Sequence, residues 1–221
     1  MVCTKLLFRS IVLYFTLVSV AHADNSFSEK QDEKQFPHNI VIEHNNEQLD
    51  LFLTGLTIRR KFFLKIYSMA HYIEQQPDVA GSVISDNNIY KSILQNNSTK
   101  QISMIFLRKL SAEQIQKSLR AGIKLNSNEA EYLQILPQIE AFMQAINANV
   151  KKNDEFIIRW HPDGTVVSFF QGAQISSNRN MKFAETLWAI WFGNFSVVDR
   201  KALIEEMLTN SWIKPANFAI F

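Results

Sequence analysis

Residues 59–74 read RRKFFLKIYSMAHYIE, three consecutive cations followed by an apolar run into which Lys65, Tyr67 and His71 are set. Aromatic and β-branched residues at this density predict one long strand over 62–73, and a strand sends alternate side chains to opposite faces. Phe62, Leu64, Ile66, Ser68, Ala70 and Tyr72 then share a side that is almost wholly apolar and reads as core. Phe63, Lys65, Tyr67, Met69, His71 and Ile73 share the other, which combines apolar bodies with a phenol, an imidazole and an ammonium. Such a face suits either of two places. It is the wall of a greasy cleft that offers a few directional contacts, or a solvated sheet face on which Lys65 and His71 are simply hydrated. Arg59, just upstream, puts a cation at one end of the same strand.

Working outward, NIVIEHNNEQLDLFL holds two short runs around Asn45-Asn46, residues that tolerate positive φ and so suit a hairpin turn. QISMIFLRKL (101–110) reads as a further strand. FIIRWHPDGTVVSFFQG is the clearest hairpin, two β-rich runs joined by Pro162-Asp163-Gly164. Helices follow in the second half. Ser111 and Gln114 make a capping box ahead of IQKSLRAG, with Gly122 near the expected stop. EAEYLQILPQIEAFMQAINA carries apolar residues at helical spacing, and Pro137 means a kink or a second helix starting there. KFAETLWAIWFG is apolar on most sides and ends at Gly193, and Ser196 with Asp199 forms a second capping box before RKALIEEML. Strands in front, helices behind and one hairpin between helices predict an α+β fold, a mainly antiparallel sheet with helices on one face. No internal repeat or linker divides residues 37–221, so one domain is expected.

The start of the chain has a different character. Lys5 and Arg9 precede the apolar stretch IVLYFTLVSV, which ends in Ala21-His22-Ala23, the layout of a secretory signal (1–23) cleaved after Ala23. Roughly ten to twelve apolar residues are too few to span a bilayer core of about 30 Å. Residues 24–36 are polar and aperiodic, a disordered lead-in. The expected place is periplasmic or secreted. The single cysteine, Cys3, leaves with the signal, and with it any disulfide, thiol nucleophile or thiolate metal site. Of 23 cations Lys5 and Arg9 also leave, so 21 face 21 anions; a neutral chain argues against nucleic acid and anionic membrane as main partners.

LTGLTIRRKFFLKIYSMAHYIE resembles the signature segment of the chalcone isomerase-like proteins, in which a Gly-x-Gly-x-Arg-type turn leads into an aromatic-rich strand. ISMIFLRKLSAEQIQKSLRAGI is similar to that family's strand followed by a helix, and MKFAETLWAIWFG with Ser196-Val197 to its C-terminal helix pair. The likeness runs in order over roughly residues 40–208. It implies an open-faced β-sandwich, a large antiparallel sheet with a layer of helices and the ligand cleft between them, and it favours the cleft for the face of Tyr67. In the plant isomerases an arginine, a threonine, a tyrosine and an asparagine act together. Here the arginine falls on Arg59 and the threonine on Tyr67, while the tyrosine falls on Ile115 and the asparagine near Gly122. The fatty-acid-binding members hold their ligand carboxylate with an arginine and a tyrosine at these places, so Arg59 with Tyr67 resembles the binding branch.

A guanidinium fork fits a carboxylate bidentately, a phenol adds a third bond, and each buried methylene of an acyl tail adds about 0.8 kcal/mol. The expected partner is therefore a small acidic amphipathic ligand held by Arg59, Tyr67 and, as a further contact, His71; Arg60 is the alternative cleft cation. Two other functions stay open. One is an intramolecular lyase or isomerase in which Arg59 polarises a carbonyl and Tyr67 gives a proton. The other is an interaction module docking through the helix of Trp188 and Trp191, whose spacing equally suits plain core. His38, His44, His71 and His161 lack metal-ligand spacing, and no phosphate loop or nucleophile elbow is present, so neither a metal nor a cofactor is expected. His161 reads as a turn residue.

Overall fold

The computed structural model describes residues 36–74 and 86–209; the segments expected from sequence to be a signal (1–23) and a lead-in, the latter as far as residue 35, and the last residues of the chain lie outside these. Seven antiparallel strands form one sheet in sequence order: β1 (Asn39–His44), β2 (Glu47–Lys61), β3 (Leu64–Glu74), β4 (Lys100–Phe106), β5 (Glu155–Trp160), β6 (Thr165–Phe170) and β7 (Ala173–Arg179). The helices fill the longer connections. α1 (Asp86–Gln95) joins β3 to β4, and α2 (Ala112–Leu125), α3 (Glu129–Gln134) and α4 (Leu136–Ala145) join β4 to β5. After β7 come α5 (Met181–Phe192), a 3₁₀ turn (Ala202–Ile204) and α6 (Glu205–Thr209). The α+β architecture is the expected one.

Two apolar clusters sit on the two faces of the sheet. The larger joins Met69, Met104, Phe156 and Ile158 to helix residues such as Phe142, Phe183 and Trp188. The smaller gathers Phe36, Ile42, Leu51, Leu53, Ala70 and Tyr72 on the other face. Both sides of β3 are thus interior, and the side carrying Tyr67 and His71 meets the helices. Phe36, read from sequence as the end of the lead-in, is buried, so the packed domain takes it in.

Local chemistry explains most boundaries. Asn45 and Asn46 take φ of 52° and 63° in the β1–β2 turn, which amide side chains allow. The Ser111–Gln114 capping box forms in both directions, and Asn128 with Glu131 makes another. Pro137 lies in the first turn of α4, where its missing N–H costs nothing, so a new helix starts there.

Four expectations need correction. Phe62 and Phe63 are not in the strand; they are the turn between β2 and β3, with Phe62 at φ 54°. The Gly-x-Gly-x-Arg-type segment is likewise no turn, because Gly55 lies inside β2. Gly122 does not stop α2, which continues to Leu125; a Cβ at 122 would stand 3.0 Å from Ile190, so this glycine lets α2 and α5 approach. Finally, Ser196 is not a helix cap. Its hydroxyl donates to the Trp191 carbonyl at 2.6 Å, and Asp199 alone receives the N–H groups of Lys201 and Ala202.

Candidate functional site

Arg59 and Tyr67 are direct cross-strand partners in the β2–β3 register, so their side chains leave the sheet on the same face, toward the helices. The register shifts just beyond Arg59, and Arg60 is exposed opposite Lys65. Arg59 is half-buried and donates from Nη1 to the carbonyl oxygen of Val197, in the segment that follows α5. Of the two arginines, it is therefore Arg59 that reaches under the helix layer.

Tyr67 accepts a hydrogen bond from Trp191 Nε1 at 3.1 Å and meets Phe106 edge-on at 6.1 Å between centroids. Acting as acceptor there, the phenol keeps its own O–H for donation. Burial pushes its pKa up, against the lowering effects of the Trp191 bond and the Arg59 charge, so the hydroxyl is neutral at ordinary pH. Side by side stand a permanent cation and a neutral hydroxyl donor, in apolar surroundings that strengthen both.

His71 has a different setting. It is fully buried, with Trp188 Nε1 donating to its Nε2 at 3.3 Å and Thr54 Oγ1 lying 2.7 Å from its Nδ1. Because the indole can only donate, Nε2 is the bare nitrogen and Nδ1 carries the proton to Thr54; this tautomer follows from the network. Thr54 Oγ1 passes its own proton to the Leu203 carbonyl at 2.7 Å. Every member of this chain from helix to strand to C-terminal turn is satisfied. Burial, reinforced by the charge of Lys100, holds the imidazole pKa down to about 3, so the ring stays neutral. Both ring nitrogens are taken by protein groups.

Sequence reasoning missed the partners that make this arrangement. Thr54 sits in a bulge between Leu53 and Gly55, and the extra residue turns its hydroxyl inward beside His71. Gly55 follows because a Cβ there would stand 2.1 Å from the Ala202 carbonyl oxygen. A glycine after a threonine within a strand pattern was the available signal. Trp188 and Trp191 are fully buried and spend their indole N–H groups on His71 and Tyr67 of β3, which removes them as a docking face. Ile115 and Gly122 are also buried, in α2, and neither side chain carries a hydrogen-bond donor.

Lys100, not singled out from sequence, is the other notable interior group. Its Nζ donates to the Asn96 carbonyl at 2.6 Å and lies 3.7 Å from the centroid of the Trp160 ring, with no part of the residue exposed. Burial pushes its pKa down to about 7, partly offset by Glu185. His161 stacks on His44 at 3.7 Å, and burial first, then His44, lowers its pKa to about 4. Among the described residues no group of three His, Cys, Asp or Glu side chains converges as a metal site, and no helix is long and apolar enough to cross a membrane.

A seven-stranded antiparallel meander under a helix layer, with an arginine and a tyrosine paired beneath the helices, defines a class of α+β proteins with the chalcone isomerase architecture. The chain belongs to the chalcone isomerase-like family, whose sequence pattern it matches over residues 29–209. Among solved structures it is similar to a fatty-acid binding protein of Arabidopsis thaliana, with a TM-score of 0.58 and 13% identity over 78% of this chain and 97% of that one. At that identity the likeness establishes the fold. No curated protein matches the chain in sequence.

Proposed function

We infer that the protein is a non-catalytic binding protein for a fatty-acid-like ligand, a carboxylate with an apolar tail, and that it works outside the cytoplasm after removal of residues 1–23. The observation that carries this reading is the cross-strand pair Arg59–Tyr67 on the helix-facing side of the sheet. The Val197 carbonyl engages one of the five N–H donors of a guanidinium, so the fork can still receive a carboxylate, with the Tyr67 hydroxyl as the third donor. The tail would run along the apolar surroundings of Phe106 and Trp191. The fatty-acid binding protein of the same fold supports this ligand class. The absence of side-chain donors at Ile115 and Gly122 favours binding over ring-closing catalysis, which would need groups to orient a substrate. In this reading His71 belongs to the frame, holding the floor of the site to α5.

The test is native mass spectrometry of the protein purified from its own host, followed by extraction and identification of any small molecule. An acidic acyl ligand is expected, lost in Arg59→Ala and reduced in Tyr67→Phe while both variants keep a cooperative unfolding transition. Protein that arrives empty and takes up no added fatty acid would sink the reading. N-terminal sequencing of the same material is expected to begin at Asp24; an intact Met1 would refute the signal.

A further inference from the structure

The β2–β3 hairpin ends in a feature that the ligand site does not use. Phe62 and Phe63, its two turn residues, are 88% and 89% exposed. Arg60, Lys61, Leu64 and Lys65 flank them and are also exposed. β1 pairs with β2 only as far as Phe52, and β4 pairs with β3 only from Tyr67, so residues 60–65 extend past both neighbouring strands as the tip of the hairpin.

Three properties of this tip run against stability. Phe62 holds φ at 54°, a conformation suited to glycine or asparagine and strained for an aromatic residue. Two large apolar side chains are left in water. Arg60 and Lys65, like charges, are set directly opposite each other across the hairpin. Local rules broken together in one place mark a functional surface more often than a structural one.

The chemistry selects the partner. No Asp or Glu occurs between Asp50 and Glu74, so every charged residue of the segment that carries the apolar apex is a cation, although the mature chain as a whole is neutral. Six residues fall far short of the roughly 20–30 per side of a stable protein interface. A bilayer asks for no such matched area: aromatic rings enter the boundary of headgroups and acyl chains, and cations on flexible stems remain among the phosphates. We propose that the β2–β3 tip docks the protein onto an anionic lipid surface, Phe62 and Phe63 entering the bilayer boundary while Arg60 and Lys61 engage lipid phosphates. Whole-chain neutrality hides this patch, because charge that is balanced overall is unbalanced here. The proposal does not depend on the ligand reading, since neither Arg59 nor Tyr67 is among the residues it uses.

The experiment is vesicle flotation of protein purified from its host, with vesicles of phosphatidylcholine alone and of phosphatidylcholine with 30% phosphatidylglycerol, composition chosen to set the surface charge. The expected result is flotation with the anionic vesicles, weakened at least tenfold by Phe62→Ser with Phe63→Ser, weakened about fivefold by Lys61→Gln, and suppressed by 0.5 M salt. Because the altered residues are exposed, the variants should keep the parental melting temperature. Equal flotation of the double serine variant would overturn the proposal, as would equal binding to neutral vesicles. Failure to float, accompanied by concentration-dependent self-association that the double variant abolishes, would overturn it in favour of a second copy as the occupant. A tryptophan placed by Phe63→Trp gives an independent reading: its emission should shift to the blue on anionic vesicles, and an unchanged spectrum would contradict insertion.

Discussion

Thr54 shows how one hydroxyl can set the chemistry of a site. It lies 2.7 Å from His71 Nδ1 and donates to Leu203 at 2.7 Å, so it fixes the imidazole tautomer and ties the C-terminal turn to the sheet. Thr54→Val keeps the shape and removes the bonds, leaving the buried Nδ1–H and the Leu203 carbonyl without this partner. The expected loss is about 1–3 kcal/mol in urea unfolding, with most of it recovered in Thr54→Ser. A serine variant as unstable as the valine variant would show that the methyl packing, and not the hydroxyl, carries the effect. Tyr67→Phe should cost about 1 kcal/mol for a related reason, since Trp191 loses its acceptor. Ligand loss in that variant therefore has to be read against its measured stability.

Elements follow from the sequence where their signals are local. The Ser111 cap, the Asn45-Asn46 turn and the restart at Pro137 are legible because each rests on residues within a few positions of one another. Ser111→Ala is accordingly expected to cost about 1 kcal/mol, read from the urea midpoint. The misread elements depend on partners far along the chain. The β2–β3 turn is built from two phenylalanines, which carry no turn signal, and β7, AQISSNR, is a largely exposed polar strand with no alternation to find. Arg59 and Tyr67 were legible as a pair, but the indoles that meet Tyr67 and His71 come from more than a hundred residues away. Gly122 makes the same point. Alanine would gain about 1 kcal/mol of helix propensity, yet its Cβ would sit 3.0 Å from Ile190, and overpacking of this kind costs about 1–3 kcal/mol. Gly122→Ala should destabilise on balance, and Ile190→Ala, which removes the two γ carbons nearest that Cβ, should relieve it; additive effects in that double-mutant cycle would refute the contact as the cause.

At the scale of the molecule, the buried bases make stability depend on pH in one direction. His71 and His161 titrate in the fold near 3 and 4, held down chiefly by burial, against about 6.5 when unfolded. Between those values the unfolded chain takes up protons that the native state refuses, so stability is lost as pH falls from about 6.5. Lys100 extends the same trend upward. Burial brings its amine to about 7 against 10.5 in the unfolded chain, so between these values only the unfolded state stays charged and stability rises with pH. The slope for one full proton is about 1.4 kcal/mol per pH unit. Above about pH 10 the raised phenols of Tyr67 and Tyr72 reverse it, because the native state then keeps protons that the unfolded chain releases. Urea midpoints should therefore climb from pH 5 through pH 7 to pH 9. Lys100→Met should flatten the segment between pH 7 and 9, since a methionine buried beside Trp160 has nothing to titrate, and should keep the part of the acid-side loss that burial of His71 and His161 causes, while the part that the Lys100 charge adds at His71 goes. A Lys100→Met protein that keeps the alkaline rise would mean the native amine remains charged there, its contacts with the Asn96 carbonyl and the Trp160 face compensating its burial.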